Sequence, residues 1–468
     1  MKRGPAAARK AARLALLRRS AAALAACGFD LSDLLYRLSS KNRAETFSAA
    51  GAAGLWRGFL GDGGRGGRLR VYAKVPFCSS RCAFCHFFTL VRPAPAAADA
   101  YLRALAAEAA YFGRAFKGTR PAQLYVGGTP SYLDGRRLGR LFGALFSAFD
   151  FEPGGPKVLE VSPGTMTAAK LRLAAGAGFN RLSIGVQTLT PAVLSAMNRP
   201  QEGRAALDLV RRAQAEFRHG AAVDLLLGLR GDGARGLLNS FSKVAACGPD
   251  TISVYDLCLS PGYVRRFYAG DAGAALREIA AVRAEAQEPL KQEGARRGYA
   301  FISRCEGREW LFLKRRPGRE AGRDMLRDPL AVLGLGPGTR SRVFGGGSYT
   351  QQEGTFPSFS PRAALFTGRR GTEREDMLKF VFNALRNGEE MNDPVFRARF
   401  GRPLAEAFGP ELAELEALGL SPAAGLKPRG PLDLLLCGLV FAGLERFLKE
   451  ALPAFPPEVA AALRAARG

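Results

Sequence analysis

From Leu69 onward, apolar residues gather into short runs separated by stretches in which they recur every three or four positions. The short runs are "LRVYAKV" (69–75), "AQLYVGG" (122–128), "KVLEV" (157–161), "NRLSIGV" (180–186), "AAVDLLLG" (221–228) and "DTISVYDL" (250–257). Their length and their Val, Ile, Leu and Tyr content predict strands. Between them, Leu102, Leu105, Ala109, Phe112 and Phe116, and then Leu138, Leu141, Phe142 and Leu145, keep the spacing that gives a helix one buried face. Strands joined through helices pair in parallel, because a helix is the connection that returns the chain to the starting end of a sheet. Six such units predict an α/β barrel or partial barrel, with its site at the strand C-terminal ends. A doubly wound open sheet is the alternative.

After about residue 300 the period weakens into a Gly/Arg-rich connection, 301–370, containing "LGLGPGTRSRVFGGGS". A new unit, 371–468, starts where Thr372 is followed three residues later by Glu375. That pair is a capping box ahead of Met377, Leu378, Val381, Phe382 and Leu385, and so predicts a helix start. Further helical patterns run to the end, interrupted by the turn-rich "SPAAGLKPRGPL", which predicts a helical or winged-helix-like C-terminal domain. Residues 1–68 form an Ala/Arg/Gly-rich extension closing in a glycine-rich linker, "GDGGRGGR", ahead of the 69–300 core.

The chain has 468 residues, enough for an ample core without disulfides. Five of its eight cysteines (Cys27, Cys247, Cys258, Cys305, Cys437) show no paired spacing, which points to a reducing cytoplasm. The net charge of +26 suits nucleic acid, an acidic membrane surface or an anionic small molecule, and does not choose among them. No RNA-binding module is recognisable. No apolar run approaches the roughly 20 residues that cross a bilayer. The "RRSAAALAAC" segment is too short and Ala-rich for an export signal and reads as a basic helix.

The remaining cysteines change the picture. "KVPFCSSRCAFCHFFTL" places Cys78, Cys82 and Cys85 within eight residues, directly after the first strand. A structural zinc site would need His86 as fourth ligand, but that ring adjoins Cys85 and tends to point away from the metal its neighbour binds. A CxxxCxxC loop at this place in a βα series resembles the radical S-adenosylmethionine (SAM) superfamily. The resemblance implies a radical SAM partial (β/α)6 barrel in which Cys78, Cys82 and Cys85 hold three irons of a [4Fe-4S] cluster. The fourth iron is then left for the amino and carboxylate groups of SAM. One electron from the cluster cleaves the sulfonium, and the resulting deoxyadenosyl radical abstracts hydrogen from a substrate.

Further motifs are similar to the branch containing oxygen-independent coproporphyrinogen III oxidases, haem chaperones and haem-utilisation proteins. "YAKVPFC" resembles that branch's Tyr-x-His-Ile-Pro-Phe-Cys, "LYVGGTPSYL" its Gly-Gly-Thr-Pro-Ser turn, "LEVSPGT" its Glu-x-Asn-Pro-Gly element and "NRLSIGVQTL" its Asn-Arg-Leu-Ser-Ile-Gly-Val-Gln run. "SVYDLCLSPG" and "LGLGPGTRS" match as well, so the resemblance covers roughly 69–445. It implies cofactor contacts by Tyr72, Phe84, Gly127, Gly128, Thr129, Glu160, Gln187, Arg199 and Asp224. Taken singly, Glu160 and Asp224 also read as capping or ion-pair residues, Arg199 as an exposed cation and Gln187 as a strand-end amide. Together at successive strand ends they read as a site.

Some positions depart from the branch. Lys74 stands where it has histidine, and Phe87 where the oxidase proper has a further cysteine, which argues against strict coproporphyrinogen dehydrogenation. Ser162, Arg230 and Ser260 replace Asn, Pro and Glu. With only His86 and His219 in the chain, histidine ligation of haem iron has few options. The expected function is hydrogen abstraction from a tetrapyrrole or related anionic planar substrate, or a methyl transfer using a second SAM, with flavodoxin or ferredoxin as electron donor. The alternative is a haem chaperone without turnover. A nucleic-acid role rests on charge alone.

Overall fold

The computed structural model describes residues 5–27, 45–61, 69–315, 331–351, 359–387, 391, 393–420, 430–450 and 457–465. Residues 62–68 of the glycine-rich linker and 421–429 of "SPAAGLKPRGPL" lie outside them.

All six predicted strands form, as β1 (Leu69–Val75), β2 (Gln123–Gly128), β3 (Lys157–Val161), β4 (Arg181–Gln187), β5 (Ala221–Leu227) and β6 (Thr251–Asp256). They pair in parallel in chain order. That order decides between the two architectures. A doubly wound sheet reverses its strand order to cover both faces with helices, whereas right-handed crossovers all taken in one direction put every helix on the same face. The winding is that of a barrel.

Among the described residues the sheet extends to 13 strands and is not closed. A seventh parallel strand, β7 (Ala331–Leu335), lies on the free side of β1. Beyond it Arg340–Val343, Gly347–Gln351, Leu365–Arg370 and Glu45–Ser48 follow as antiparallel neighbours. Glu309–Lys314 and Tyr299–Arg304 extend the β6 edge. Segments that the sequence pattern set aside as an N-terminal extension and a connection therefore contribute strands. Arg340–Val343, Gly347–Gln351 and Leu365–Arg370 are short and rich in Gly, Ser, Thr and Arg and carry little apolar periodicity, whereas Glu309–Lys314 and Ala331–Leu335 are apolar runs outside the regular βα series.

The two faces of the β1–β6 sheet differ sharply. Val71, Val126, Leu159, Ile184, Val223 and Ile252 share one face and are almost fully buried. They join Leu105 and Phe112 of helix Pro95–Gly113 and Leu141 and Phe142 of helix Gly135–Ala148 in one core. Each such aliphatic side chain contributes about 1.5–3 kcal/mol when fully buried. On the other face the same register aligns Tyr72, Tyr125, Glu160, Ser183, Asp224 and Ser253. Where a closed barrel would fill that side with branched apolar residues, this one carries phenols, hydroxyls and carboxyls.

The chain divides into two compact units, one drawn from residues 1–44, 303–307 and 371–468 and the other from 45–302 and 308–370. From Glu373 on the described chain is helical, beginning with Glu373–Arg386. Its predicted capping box is complete: Thr372 Oγ1 accepts the Glu375 N–H and the Glu375 carboxylate accepts the Thr372 N–H at 3.1 Å. Phe382 and Phe408 meet Phe441 edge-on in the core of this unit. Helix Pro5–Ala26 belongs to the same unit, packing on Pro431–Ala442 and Pro457–Ala465 while Arg13 pairs with Glu414. Among the described residues no helix is long and apolar enough to cross a membrane.

Candidate functional site

The cysteine loop leaves β1 at Pro76 and is clamped at its base. Phe77–Cys78 pairs in parallel with Leu90–Val91, and the Leu90 N–H donates to Pro76 O at 2.7 Å. The buried Phe77 ring packs edge-on against Tyr101, 5.1 Å between centroids. Within the loop, Cys85 N–H donates to Cys82 O at 3.0 Å, closing one turn. Phe84, inside that turn, packs partly buried on the core.

The far side of the loop is held by the chain that follows β4. Ala83 N–H donates to Met197 O at 2.9 Å, Ser80 Oγ to Asn198 O at 3.1 Å, and Asn198 Nδ2 to Arg81 O at 3.0 Å. Asn198 takes a positive φ of 53°, a conformation asparagine tolerates better than most residues. Next to it, Arg199 donates to Cys82 Sγ at 3.6 Å, to Gln201 Oε1 at 2.8 Å and to Gly185 O. One guanidinium thus ties the cysteine loop to β4.

A second tie comes from β2, where Cys78 Sγ lies 3.2 Å from Thr129 Oγ1. The two preceding glycines are required by close approach. A Cβ on Gly127 would stand 2.5 Å from Tyr72 Oη, and one on Gly128, whose φ is +86°, 2.3 Å from Val75 O. The Gly128 N–H donates to Glu160 Oε2 at 3.1 Å, joining this turn to β3. Burial pushes the Cys78 thiol up, as do the nearby Cys85 and Cys82, while Thr129 and Arg199 oppose the rise.

The polar face below is electrostatically loaded. Burial, reinforced by the charge of Asp224, raises the Glu160 carboxyl to about 7, against the Gly128 N–H and Arg199. Asp224 is also raised to about 7 by burial, although Ser183 Oγ donates to it at 3.4 Å. Tyr72 stacks on Tyr125 with centroids 5.7 Å apart, and burial with the Glu160 charge pushes its phenol upward. At the end of β4 a register break places Gln187 at a φ of +69°. A Cβ on Gly185 would lie 2.8 Å from Gln187 Nε2 and 3.4 Å from Arg199, so that glycine makes room for both.

The predicted cluster and cofactor residues therefore lie in the loops after β1, β2 and β4 or on the strands themselves, with Tyr72 and Asp224 at mid-strand and Gly127, Gly128, Glu160 and Gln187 near the C-terminal ends. Asn198 and Gln201, which position Arg199 and the loop, carry no motif signal, and Ser183 and Ser253 lie inside the quoted motifs without having been singled out. Lys74 is buried, its ammonium 5.4 Å from the Phe88 ring centroid. The His86 ring lies against Phe87, centroids 4.2 Å apart. Among the described residues no three His, Cys, Asp or Glu side chains are grouped to hold a single metal ion. Three soft thiolate donors with a hydroxyl and a guanidinium at their sulfurs fit an iron–sulfur cluster.

The radical SAM superfamily model matches residues 72–242, and that of the HemN C-terminal domain matches 372–421. Residues 72–242 thus carry a radical SAM domain by this match. Radical SAM proteins use a [4Fe-4S] cluster and SAM. The chain is 31% identical over 194 residues to the oxygen-independent coproporphyrinogen III oxidase of Escherichia coli (strain K12), covering 41% of this chain and 42% of that protein. It is 29% identical over 280 residues to the heme chaperone HemW of Mycobacterium tuberculosis (strain CDC 1551 / Oshkosh), covering 58% and 69%. Its fold resembles the solved coproporphyrinogen III oxidase (HemN) from Escherichia coli with a TM-score of 0.64 at 24% identity, over 81% of this chain and 91% of that one. The matched region thus spans less than half the length of the first relative and about two thirds of the second.

Proposed function

We propose that Cys78, Cys82 and Cys85 hold a [4Fe-4S] cluster and that Tyr72, Gly127, Gly128, Thr129, Glu160, Gln187, Arg199 and Asp224 bind SAM, with Phe84 covering the cluster. The substrate is a tetrapyrrole or a similar anionic planar molecule, which is oxidised or methylated, and a flavodoxin or ferredoxin supplies the electron. The observation that carries this reading is the double tether of the cysteine loop, through Cys78 to Thr129 and through Cys82 to Arg199. The loop is thereby held beside the residues assigned to SAM.

Bound together, cluster and SAM supply one-electron cleavage of the sulfonium and hydrogen-atom abstraction. The chain's own groups bind and orient. Gly127 and Gly128 let the backbone approach a ligand that any side chain would keep out. Glu160, already anchored on the Gly128 N–H, offers a carboxylate whose ionisation a cationic amine favours. Arg199 offers a planar donor fork while fixing the loop. Phe77 and Tyr101 close the base of the loop against water.

Phe87 is 63% exposed and lies against His86 on the cluster loop, an apolar ring presented to solvent. This favours a second reading, a haem chaperone that keeps the cofactor site and takes haem on this ring.

Anaerobically reconstituted protein is expected to show a cubane signal by electron paramagnetic resonance that changes on adding SAM and is lost in Cys82→Ala. An unchanged signal in that variant refutes the ligand assignment. With reductant, SAM and a panel of porphyrinogens, an enzyme yields deoxyadenosine coupled to substrate change. A chaperone instead takes up haem and passes it to an apoprotein, with SAM cleavage uncoupled.

A further inference from the structure

The cysteine loop carries exposed positive charge that its tethers do not use. Arg81, Arg92 and Arg266 are exposed, and each donates to a backbone carbonyl of the loop or of the chain that clamps it: Arg81 to Cys85 O at 3.4 Å, Arg92 to Ser79 O at 2.8 Å and Arg266 to Ala196 O at 3.1 Å. Arg266 arrives from helix Pro261–Tyr268, after β6. The three positions are contiguous, since Ser80 Oγ donates to Asn198 O, two residues after Ala196, and Asn198 Nδ2 donates to Arg81 O.

A carbonyl fixes a guanidinium without cancelling its charge. None of the three arginines has a carboxylate partner among the described residues, and the segments that build this surface, 76–98, 188–201 and 257–270, contain no Asp or Glu. Arg120, Arg140 and Arg211, exposed elsewhere on the same unit, pair with Asp150, Asp99 and Asp208 at 2.8, 2.7 and 2.6 Å. Of the six large apolar side chains that stand exposed among the described residues, two, Phe87 at 63% and Val91 at 45%, lie in this loop. Apolar side chains among fixed guanidiniums have the anatomy of a protein docking surface. Thr129 and Arg199 hold the Cys78 and Cys82 sulfurs from the strand side, which the reading above gives to SAM, so the solvent side of the loop is left for the electron.

We propose that an acidic, flavin-carrying electron donor of the flavodoxin class docks here, its carboxylates on Arg81, Arg92 and Arg266 and the apolar edge of its flavin on Phe87. This rests on the cluster reading above and deepens it. Guanidiniums already held by carbonyls lose little rotamer freedom when they pair, and Phe87 offers an aromatic face to a planar ring. One electron leaves the partner's reduced flavin and enters the oxidised cluster, with no proton or bond moved between them.

The test uses the reconstituted full-length protein with an acidic flavodoxin as probe. Calorimetry reads the affinity of the oxidised flavodoxin, and stopped-flow absorbance reads reduction of the cluster by the reduced one and, separately, by dithionite. The variant combining Arg81→Gln, Arg92→Gln and Arg266→Gln is expected to lower affinity and the second-order rate with flavodoxin by about tenfold, from three exposed pairs of a few-fold each, and to flatten their salt dependence. Its reduction by dithionite and its spectral response to SAM are expected to stay unchanged, which shows an intact loop. Phe87→Ser is expected to weaken flavodoxin several-fold with the salt dependence kept. Arg218→Gln, exposed before β5 at the other end of the strands, is expected to change nothing. Flavodoxin affinity and rate equal in the wild type and the triple variant overturn this proposal alone, as does a triple variant that loses a single-stranded RNA oligomer while keeping flavodoxin. A wild type that holds no cluster, or one that dithionite cannot reduce, overturns the cluster reading and this proposal with it.

Discussion

Glu160 is expected to trade stability for ligand binding, and Glu160→Gln measures the exchange. The carboxyl is buried on the polar face, accepts the Gly128 N–H at 3.1 Å and is raised from 4.5 to about 7, chiefly by burial and then by Asp224. Its folded pKa lies above its unfolded one. The stability it contributes is therefore complete below about pH 4.5 and is lost as the pH rises to about 7. Across that window the loss is on the order of 3 kcal/mol. Glutamine keeps an oxygen for the Gly128 N–H but carries no charge. In iron-free protein, Glu160→Gln is expected to raise the melting temperature by several degrees at pH 8, to give no gain near pH 4.5, and to flatten the slope between. In reconstituted protein the same variant weakens SAM at least tenfold, because the cationic ligand loses its counter-charge. Circular dichroism melts across pH 4.5–8 and anaerobic SAM titration read both. A variant that is no more stable than the wild type at pH 8, or that binds SAM equally well, would refute the reasoning.

Three other changes probe separate parts of the argument. Gly128→Ala puts a Cβ 2.3 Å from Val75 O at a φ of +86°; chemical denaturation should show a loss of ~2 kcal/mol or more, and iron content after reconstitution should fall, whereas full loading at unchanged stability contradicts the close approach. Arg199→Met removes the donors to Cys82, Gly185 and Gln201, so SAM should perturb the cluster spectrum only at roughly tenfold higher concentration, and Arg199→Lys should not rescue it because an ammonium lacks the fork. Thr372→Ala removes the capping-box acceptor and should cost the helical unit about 1 kcal/mol in a denaturant titration, with SAM affinity unchanged.

The strands were legible because each is a compact apolar run. The candidate site could be proposed from the sequence because its residues sit in local motifs: three cysteines within one loop, a glycine pair at a strand end, and single polar residues interrupting apolar strands. A buried carboxyl in "KVLEV" or "AAVDLLLG" announces itself as a polar residue in an apolar run. Asn198 and Gln201 announce nothing, since their role consists of hydrogen bonds to segments more than a hundred residues away or to a neighbouring guanidinium.

The sequence by itself determined the βα series, the three-thiol loop at its start and the capped helix at Thr372, because each depends on residues near one another along the chain. Tertiary structure alone decided that the strands wind one way without closing, that Glu45–Ser48 and the strands between Tyr299 and Arg370 join the same sheet, and that helix Pro5–Ala26 packs with the C-terminal helices. It also decided that Arg266 joins Arg81 and Arg92 beside the cysteine loop. Those outcomes depend on pairing between distant segments, where backbone hydrogen bonds and face-to-face burial choose the partner and local spacing carries no record of the choice.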